Sequence, residues 1–410
     1  MKRQVVAIVS ASLLILLLAL AGCGSSSSAS TSGGGSSNGG GSNSGGGDSG
    51  GGGSSGGGSS STVGYLYALE NPTAASIVEP FAISNTGVLT ALSPAVSAGT
   101  NASDIAADAS KGFVLVGNAS GCCVAPSRPP QVISYTIGAT GTLTTAAQQD
   151  LPNQFADTLS GLLVDPTGAD VYASWQEVQI KGSISSFGLD RSSGQMKLLG
   201  PDPLNTIMPG RMAISPDGKF IYASVQLRHH YPDQGGFDLF LRDPATGLLT
   251  DTGRIFPGSR VGIDFYTDPA VALGGQYLLG VVDATKITVW SINSSTGDLT
   301  IASELPGSFK GLTVTTSGTW AIATLADGTV NSYRINSDGS LAPAGSAMAT
   351  AGVTNVVADA SGKFVYAENS TAAQIFAFNL DSSSGALASV PGSPFSTTSQ
   401  PIRMATVAAK

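Results

Sequence analysis

Charge is what this chain has least of. Only 11% of its 410 residues are Asp, Glu, Lys or Arg, and no basic cluster interrupts it. Nucleic acid, bound through arrayed lysines and arginines that displace counterions, is therefore excluded as a partner. Histidine occurs twice, as the adjacent His229 and His230, and cysteine three times, at Cys23, Cys122 and Cys123. So few thiols cannot staple a disulfide scaffold. Nowhere do His and Cys recur at the spacing of a metal site, so no metal and no cofactor are expected. The adjacent Cys122 and Cys123 lack the spacing of a Cys-x-x-Cys redox site. They are left either as a strained vicinal disulfide or as free thiols. No Ser sits in a Gly-x-Ser-x-Gly elbow, and no phosphate-cradling loop is present.

Glycine is abundant, with 54 residues, and falls into two distributions. The first is Gly24 to Thr62, almost pure Gly and Ser. Such a segment buries too little apolar surface to order itself and behaves as a coil spanning roughly 35 Å. Ahead of it, Lys2 and Arg3 precede a mostly apolar run from Val5 to Ala21, which ends in Leu20-Ala21-Gly22-Cys23. The pattern reads as an export signal. Small residues just before the Cys resemble the bacterial lipobox. The resemblance implies a signal peptide over 1–22, lipid on Cys23, and a tether over 23–62. Gly24 rather than Asp after the Cys resembles the sorting pattern for the outer membrane. The alternative is an uncleaved anchor, since the run approaches spanning length. Of 19 basic groups, loss of Lys2 and Arg3 leaves 17 against 27 acidic, a net charge of −10.

The second distribution is periodic. Between Ile207 and Asp251, Arg211-Met212-Ala213-Ile214 runs into Ser215-Pro216-Asp217-Gly218, with Pro and Gly where a type I turn wants them. Lys219-Phe220-Ile221-Tyr222-Ala223-Ser224 follows, aromatic and β-branched, hence a strand. Phe237-Asp238-Leu239-Phe240-Leu241 is a third strand, and Leu248-Leu249-Thr250, after a turn at Asp243-Pro244-Ala245-Thr246-Gly247, starts a fourth. The outer of these two hairpins recurs seven times, with turn glycines Gly87, Gly141, Gly194, Gly247, Gly297, Gly339 and Gly385, at spacings of 42 to 54 residues. The inner hairpin recurs six times whole, and the seventh copy is split. Val63-Gly64-Tyr65-Leu66-Tyr67-Ala68 opens the folded region as a second strand with no first. Arg403-Met404-Ala405-Thr406-Val407 repeats the Arg211 strand and then stops. The expectation is an all-β, seven-bladed β-propeller over 63–410, with four antiparallel strands per blade. Its first blade is closed by the C-terminal strand, which removes exposed sheet edges. An open β-solenoid has no use for a strand returned from the other end.

Chain direction sorts residues by face. The tight turns lie on one face, the bottom. Longer top loops crowd blades 2 to 4: Asn118–Gln131 with Arg128, Gln176–Gly182 with Glu177, and Leu227–Gly236 with His229 and His230. Aligning the repeats on the turn glycine places one residue per blade at the mouth of the central channel: Asp104, Gly161, Arg211, Asp268, Gly311, Asn355 and Arg403. Two arginines, two aspartates and an amide around one funnel form a set able to hold a small anionic or sugar-like ligand, with Asn355, His230, Arg128 and Glu177 as binding residues. The alternative is that the funnel residues pair with one another around water.

Ile214-Ser215-Pro216-Asp217-Gly218-Lys219-Phe220-Ile221-Tyr222-Ala223-Ser224, with Asp243-Pro244-Ala245-Thr246-Gly247-Leu248-Leu249-Thr250, resembles the lactonase-type seven-bladed propeller family, which includes a bacterial 6-phosphogluconolactonase. The resemblance spans Val63 to Val407 and implies hydrolysis of a sugar-type lactone. That family tends to carry Gly-Pro-Arg-His entering an inner strand, where this chain has Met208-Pro209-Gly210-Arg211. Lactone hydrolysis needs a base for water and a donor for the oxyanion. Arg211 or Arg403 is the candidate donor; His229, Asp104 or Asp268 is the candidate base. The competing reading is a non-catalytic binding or protein-interaction module. Either way the chain is expected as an exported monomer, lipid-anchored through Cys23 at the outer membrane. There 6-phosphogluconolactone is not an expected substrate.

Overall fold

The computed structural model describes residues 61–71, 75–108, 112–119, 129–152, 158–177, 181–203, 208–226, 236–257 and 269–410. They form seven antiparallel sheets. Blade 2 is Ala102–Ala107, Phe113–Asn118, Gln131–Ile137 and Leu143–Asp150; blade 3 is Thr158–Val164, Asp170–Glu177, Lys181–Leu189 and Met196–Leu198. Blade 4 is Met208–Ile214, Phe220–Gln226, Gly236–Arg242 and Leu249–Pro257; blade 5 is Ala270–Ala272, Tyr277–Val282, Lys286–Ile292 and Leu299–Pro306. Blade 6 is Phe309–Val314, Trp320–Leu325, Thr329–Ile335 and Leu341–Met348. Blade 7 starts with Val353–Ala358, Phe364–Asn369 and Gln374–Leu380.

Blade 1 is the closing blade. Its inner strand is Pro401–Ala408, laid antiparallel on Thr62–Glu70, with Gly64 opposite Ala408 and Leu69 opposite Arg403. Ser76–Ser84 follows outward. The tail of the chain thus supplies the missing inner strand, as the split repeat requires.

Two departures have local causes. The outermost strands of blades 1 and 7 are each broken in two, Leu89–Ala91 with Val96–Gly99 and Leu387–Ser389 with Phe395–Ser396. Pro94 and Pro394 lie inside these breaks, and proline has no N–H to give a ladder. In blade 5 the inner turn is a 3₁₀ turn, Leu273–Gly275, with Leu273 at φ 46°. There Leu-Gly-Gly replaces the Ser-Pro-Asp-Gly type of turn, and the strand ahead of it is short.

The core is a set of layers between neighbouring blades. Second strands such as Phe113–Asn118 and Phe364–Asn369 are buried along their whole length, because both faces of each sheet are covered, and they read as continuous apolar runs. Tyr65, Tyr67 and Leu69 of blade 1 pack with Val114, Val116 and Ile133 of blade 2. Phe237 of blade 4 meets Trp290 of blade 5 edge to face at 5.1 Å. Trp175, Trp290 and Trp320 are all buried, as their strand positions predict.

One joint repeats around the ring. Each outer-turn glycine presses on a residue at or near the start of the second strand of the preceding blade. Gly141 meets Tyr65, Gly194 Phe113, Gly297 Phe220, Gly339 Tyr277, Gly385 Trp320 and Gly87 Phe364. In four blades a buried tyrosine hydroxyl adds a hydrogen bond to that glycine's carbonyl: Tyr67 to Gly141 (3.1 Å), Tyr172 to Gly247 (2.9 Å), Tyr222 to Gly297 (2.9 Å) and Tyr366 to Gly87 (3.0 Å). Burial pushes each of these phenols far above its usual range, so they donate at every pH the fold survives.

Blade 3 breaks the pattern. Asp170 stands where the others carry an aromatic, against Gly247. The buried Arg242 of blade 4 answers it, bonding Asp170, Asp165, the Tyr172 hydroxyl and the Gly218 carbonyl. A buried carboxylate is costly unless a partner such as this one, or a set of hydrogen-bond donors, compensates it.

The joint predicts a contrast between two glycines with positive φ. A Cβ on Gly297 (φ 76°) would stand 2.6 Å from the Phe220 ring, whereas a Cβ on Gly253 (φ 64°) would meet nothing within 4 Å. Gly253→Ala is expected to cost about 1 kcal/mol from backbone conformation alone. Gly297→Ala is expected to cost about 3 kcal/mol, as overpacking adds to it. Urea midpoints of the two variants check the difference.

Candidate functional site

The tight turns do share one face: Pro166-Thr167 and Pro216-Asp217-Gly218 of the inner hairpins line one surface depression with Pro244–Gly247 of an outer hairpin. Each inner strand therefore runs toward that bottom face, and the residue four positions before its turn lies upstream in the channel. A cavity of about 200 Å³ occupies the channel there, lined by Asp104, Arg211, Asn355 and Arg403 together with the apolar Leu162 and Leu312. Four residues aligned from the repeats are thus brought into one cavity from blades 2, 4, 7 and 1.

The inner strands position them by leaning on one another. Asp104 is buried; its Oδ2 accepts the Leu162 amide of blade 3 at 2.7 Å and its Oδ1 accepts Arg211 Nη1 of blade 4 at 3.0 Å. One carboxylate so ties three consecutive blades. The Arg211 side chain keeps 16% of its surface exposed against 5% for Asp104, so the guanidinium is the solvent-facing member of the pair. Asn355 is buried, with its Oδ1 accepting the Val356 amide at 2.9 Å. Arg403 is half-buried on the closing strand.

Gly161 and Gly311 hold the equivalent positions in blades 3 and 6, and close approach of the neighbouring strand explains both. A Cβ on Gly161 would lie 2.9 Å from the Gly210 carbonyl oxygen and 3.0 Å from Arg211 Cα; at Gly311 it would strike the Thr354 carbonyl. Hydroxyls of the second strands cross the same gaps: Ser174 donates to the Gly210 carbonyl at 2.6 Å and Thr324 to the Thr354 carbonyl at 3.0 Å. These glycines let the inner strands close in and set the width of the channel.

The remaining candidates separate. Glu177 ends the second strand of blade 3 opposite Lys181 and is not among the residues that line the channel cavity. Asp268, His229, His230, Arg128, Cys122, Cys123 and Cys23 lie outside the described residues. Asp202, not singled out from the sequence, sits beyond the fourth strand of blade 3. It accepts Trp175 Nε1 at 3.0 Å and Ser185 Oγ at 2.8 Å. Burial pushes its carboxyl up against the pull of the Ser185 and Trp175 bonds. No sequence signal marks it, because a lone Asp in a connecting loop looks like any turn residue.

The arrangement offers a guanidinium held by one carboxylate, a second guanidinium and an amide around a small polar cavity. It is suited to a ligand rich in hydroxyl or carbonyl oxygens.

Comparison with known proteins gives the same architecture. The family described as Lactonase, 7-bladed beta-propeller matches residues 129–263. No curated protein matches the chain. Solved structures that resemble it include a periplasmic gluconolactonase of Pseudomonas aeruginosa, with TM-score 0.67 and 14% identity over 85% of this chain and 100% of that one. A candidate 6-phosphogluconolactonase of Bacteroides fragilis gives TM-score 0.66 and 15% identity over 84% and 98% of the two chains. A protein of Lactobacillus plantarum gives 0.66 and 12% over 85% and 100%. The seven-bladed, lactonase-type fold read from the repeats is therefore found both in a family match and in whole-chain structural likeness.

Removing Asp104 leaves Arg211 without this partner and the Leu162 amide without its acceptor. Asp104→Ala is expected to lower unfolding free energy by about 3 kcal/mol, as for other broken buried pairs. Lys219→Met, which removes only the exposed Lys219–Asp217 pair, should cost less than about 1 kcal/mol. Denaturant titration of both variants checks this.

Proposed function

We propose that the channel cavity binds a sugar-type lactone and hydrolyses it. The observation that carries this reading is the convergence of Arg211, Arg403, Asp104 and Asn355 on one small cavity. Water adds to the lactone carbonyl, the carbonyl oxygen becomes anionic, and the ring oxygen leaves as a hydroxyl once protonated. Arg211 and Arg403 supply donors for the developing oxyanion. Asp104, Asp268 or His229 takes the proton from water, and Asn355 orients a hydroxyl of the substrate. The gluconolactonase named among the similar structures supports this class of substrate.

We further propose that the chain is exported, lipidated on Cys23 and carried at the outer membrane as a monomer on its Gly/Ser tether. Support comes from the lipobox-like Leu20-Ala21-Gly22-Cys23 and from the periplasmic setting of that structural relative.

One observation favours a second reading, a binding module without catalysis. Both oxygens of Asp104 are already engaged, by Leu162 and Arg211, which leaves that carboxylate poorly placed to accept a proton from water.

Turnover of a panel of aldonolactones by the purified protein separates the two. The hydrolytic reading expects Arg211→Ala and Arg403→Ala each to lower kcat by about 10²- to 10³-fold, the usual effect of removing one oxyanion donor. No turnover of any lactone by the parent chain, with aldonate or lactone binding retained, would establish the binding module.

A further inference from the structure

The closing segment just ahead of the last strand is fastened by two glutamates from strands that lie some 320 residues earlier in the chain. Glu79 accepts the Thr398 amide at 2.9 Å and the Thr398 hydroxyl at 3.1 Å. Glu70 accepts the Ser399 amide at 2.6 Å and its hydroxyl at 2.8 Å, both on Oε2. Next to them the Asn71 amide donates to the Gln400 carbonyl at 3.0 Å. Glu70 is wholly buried and Glu79 is 8% exposed. Glu70 stands opposite Ile77 and Glu79 opposite Ala68, so the two glutamates are diagonal neighbours on one face of the paired strands, where long side chains meet.

Two features follow from the chemistry of that contact. Two ionised carboxylates at such burial repel each other and lose their hydration. The Oε1 atom of Glu70 is buried and, as an acceptor, has no partner. A single proton on Glu70 resolves both, because Oε1 then becomes a donor to Glu79 and the pair carries one charge instead of two. Among the described residues packed here, the strand Ser76–Ser84 carries only Glu79, Phe364–Asn369 of blade 7 carries the buried Glu368, a third acid and no cation, and Val96–Gly99, Gln374–Leu380 and the segment Thr397–Gln400 carry no charged residue. On the closing strand the one cation is Arg403, which stands opposite Leu69 and lines the channel cavity.

We propose that Glu70 and Glu79 share one proton and form a pH-sensitive latch that holds Thr398-Ser399, and with it the closing strand, tightly in mildly acidic surroundings and loosens as they turn alkaline. Burial, reinforced by Glu79, pushes the Glu70 carboxyl up to about 8. A carboxyl raised in the folded state binds a proton that the opened state has already lost. Its stabilising effect is complete below the ordinary carboxylate range and disappears as pH rises to the folded value. The seam is therefore strongest near pH 5 and weakest above pH 8.

Hydrogen exchange on the full chain between pH 5.5 and 9 tests this. Protection factors, corrected for the intrinsic pH dependence of exchange, are compared for residues 398–408 and for the blade 5 strand Tyr277–Val282. The latch predicts that protection of the closing segment, relative to blade 5, falls by up to about tenfold per pH unit toward pH 8 and then levels. Glu70→Gln, which keeps a donor without titrating, should flatten that dependence. A flat profile in the parent chain, or a Glu70→Gln profile that keeps the parent slope, overturns the proposal. Should that variant not fold, the carboxyl carbon resonances of the glutamates in the parent chain decide. One glutamate still protonated at pH 7 supports the shared proton, and all glutamates ionised by pH 6 overturns it.

Discussion

Everything in this molecule depends on a strand that arrives last. Pro401–Ala408 completes blade 1 by pairing with Thr62–Glu70, so the first and last segments of the propeller occupy one sheet. Without it, the second strand of blade 1 would present an open edge, and the ring would have a gap between blades 7 and 1. The channel would also lose Arg403, one of the two arginines among the described residues that line its cavity. Closure and site are the same physical event. Local order within each blade comes from short-range hairpins, but the cavity exists only after the longest-range pairing in the chain has formed.

Between the seams, one contact does the joining. A turn glycine of one blade lies on an aromatic at or near the start of the second strand of the blade before it, in six of the seven joints, and the seventh uses Asp170 with Arg242. A side chain at the glycine would push the blades apart, while a smaller residue in place of the aromatic would leave a void. The exception shows that the joint needs a filled space more than a particular chemistry. A buried ion pair fills it, provided its remaining donors reach acceptors such as the Tyr172 hydroxyl and the Gly218 carbonyl.

The architecture was legible because its signals are local. The Pro-Asp-Gly and Thr-Gly turns announce hairpins, their period gives blades, and a half-repeat at each end announces closure. The channel residues were legible for the same reason, since counting from a turn glycine places Asp104, Arg211, Asn355 and Arg403 on equivalent positions. Their pairing was not. That Asp104 holds Arg211 and the Leu162 amide together depends on how the inner strands of three blades approach one another, and no residue pattern encodes it. Glu70 and Glu79 were invisible as a pair because their ligands, Thr398 and Ser399, come from the far end of the chain. The seven turn glycines were read as backbone punctuation, yet each also serves as a surface on which another blade rests.

The most direct measurement removes the closing strand. A chain ending at Gln400 keeps every other strand of blades 2 to 7 but lacks residues 401–410. If closure holds the ring together, that chain should lose cooperative unfolding and the near-ultraviolet dichroism of its buried aromatics, and adding a peptide of residues 401–410 in trans should restore both in part. A truncated chain that unfolds in one transition at the parent's urea midpoint, with its aromatic signal intact, would contradict the account.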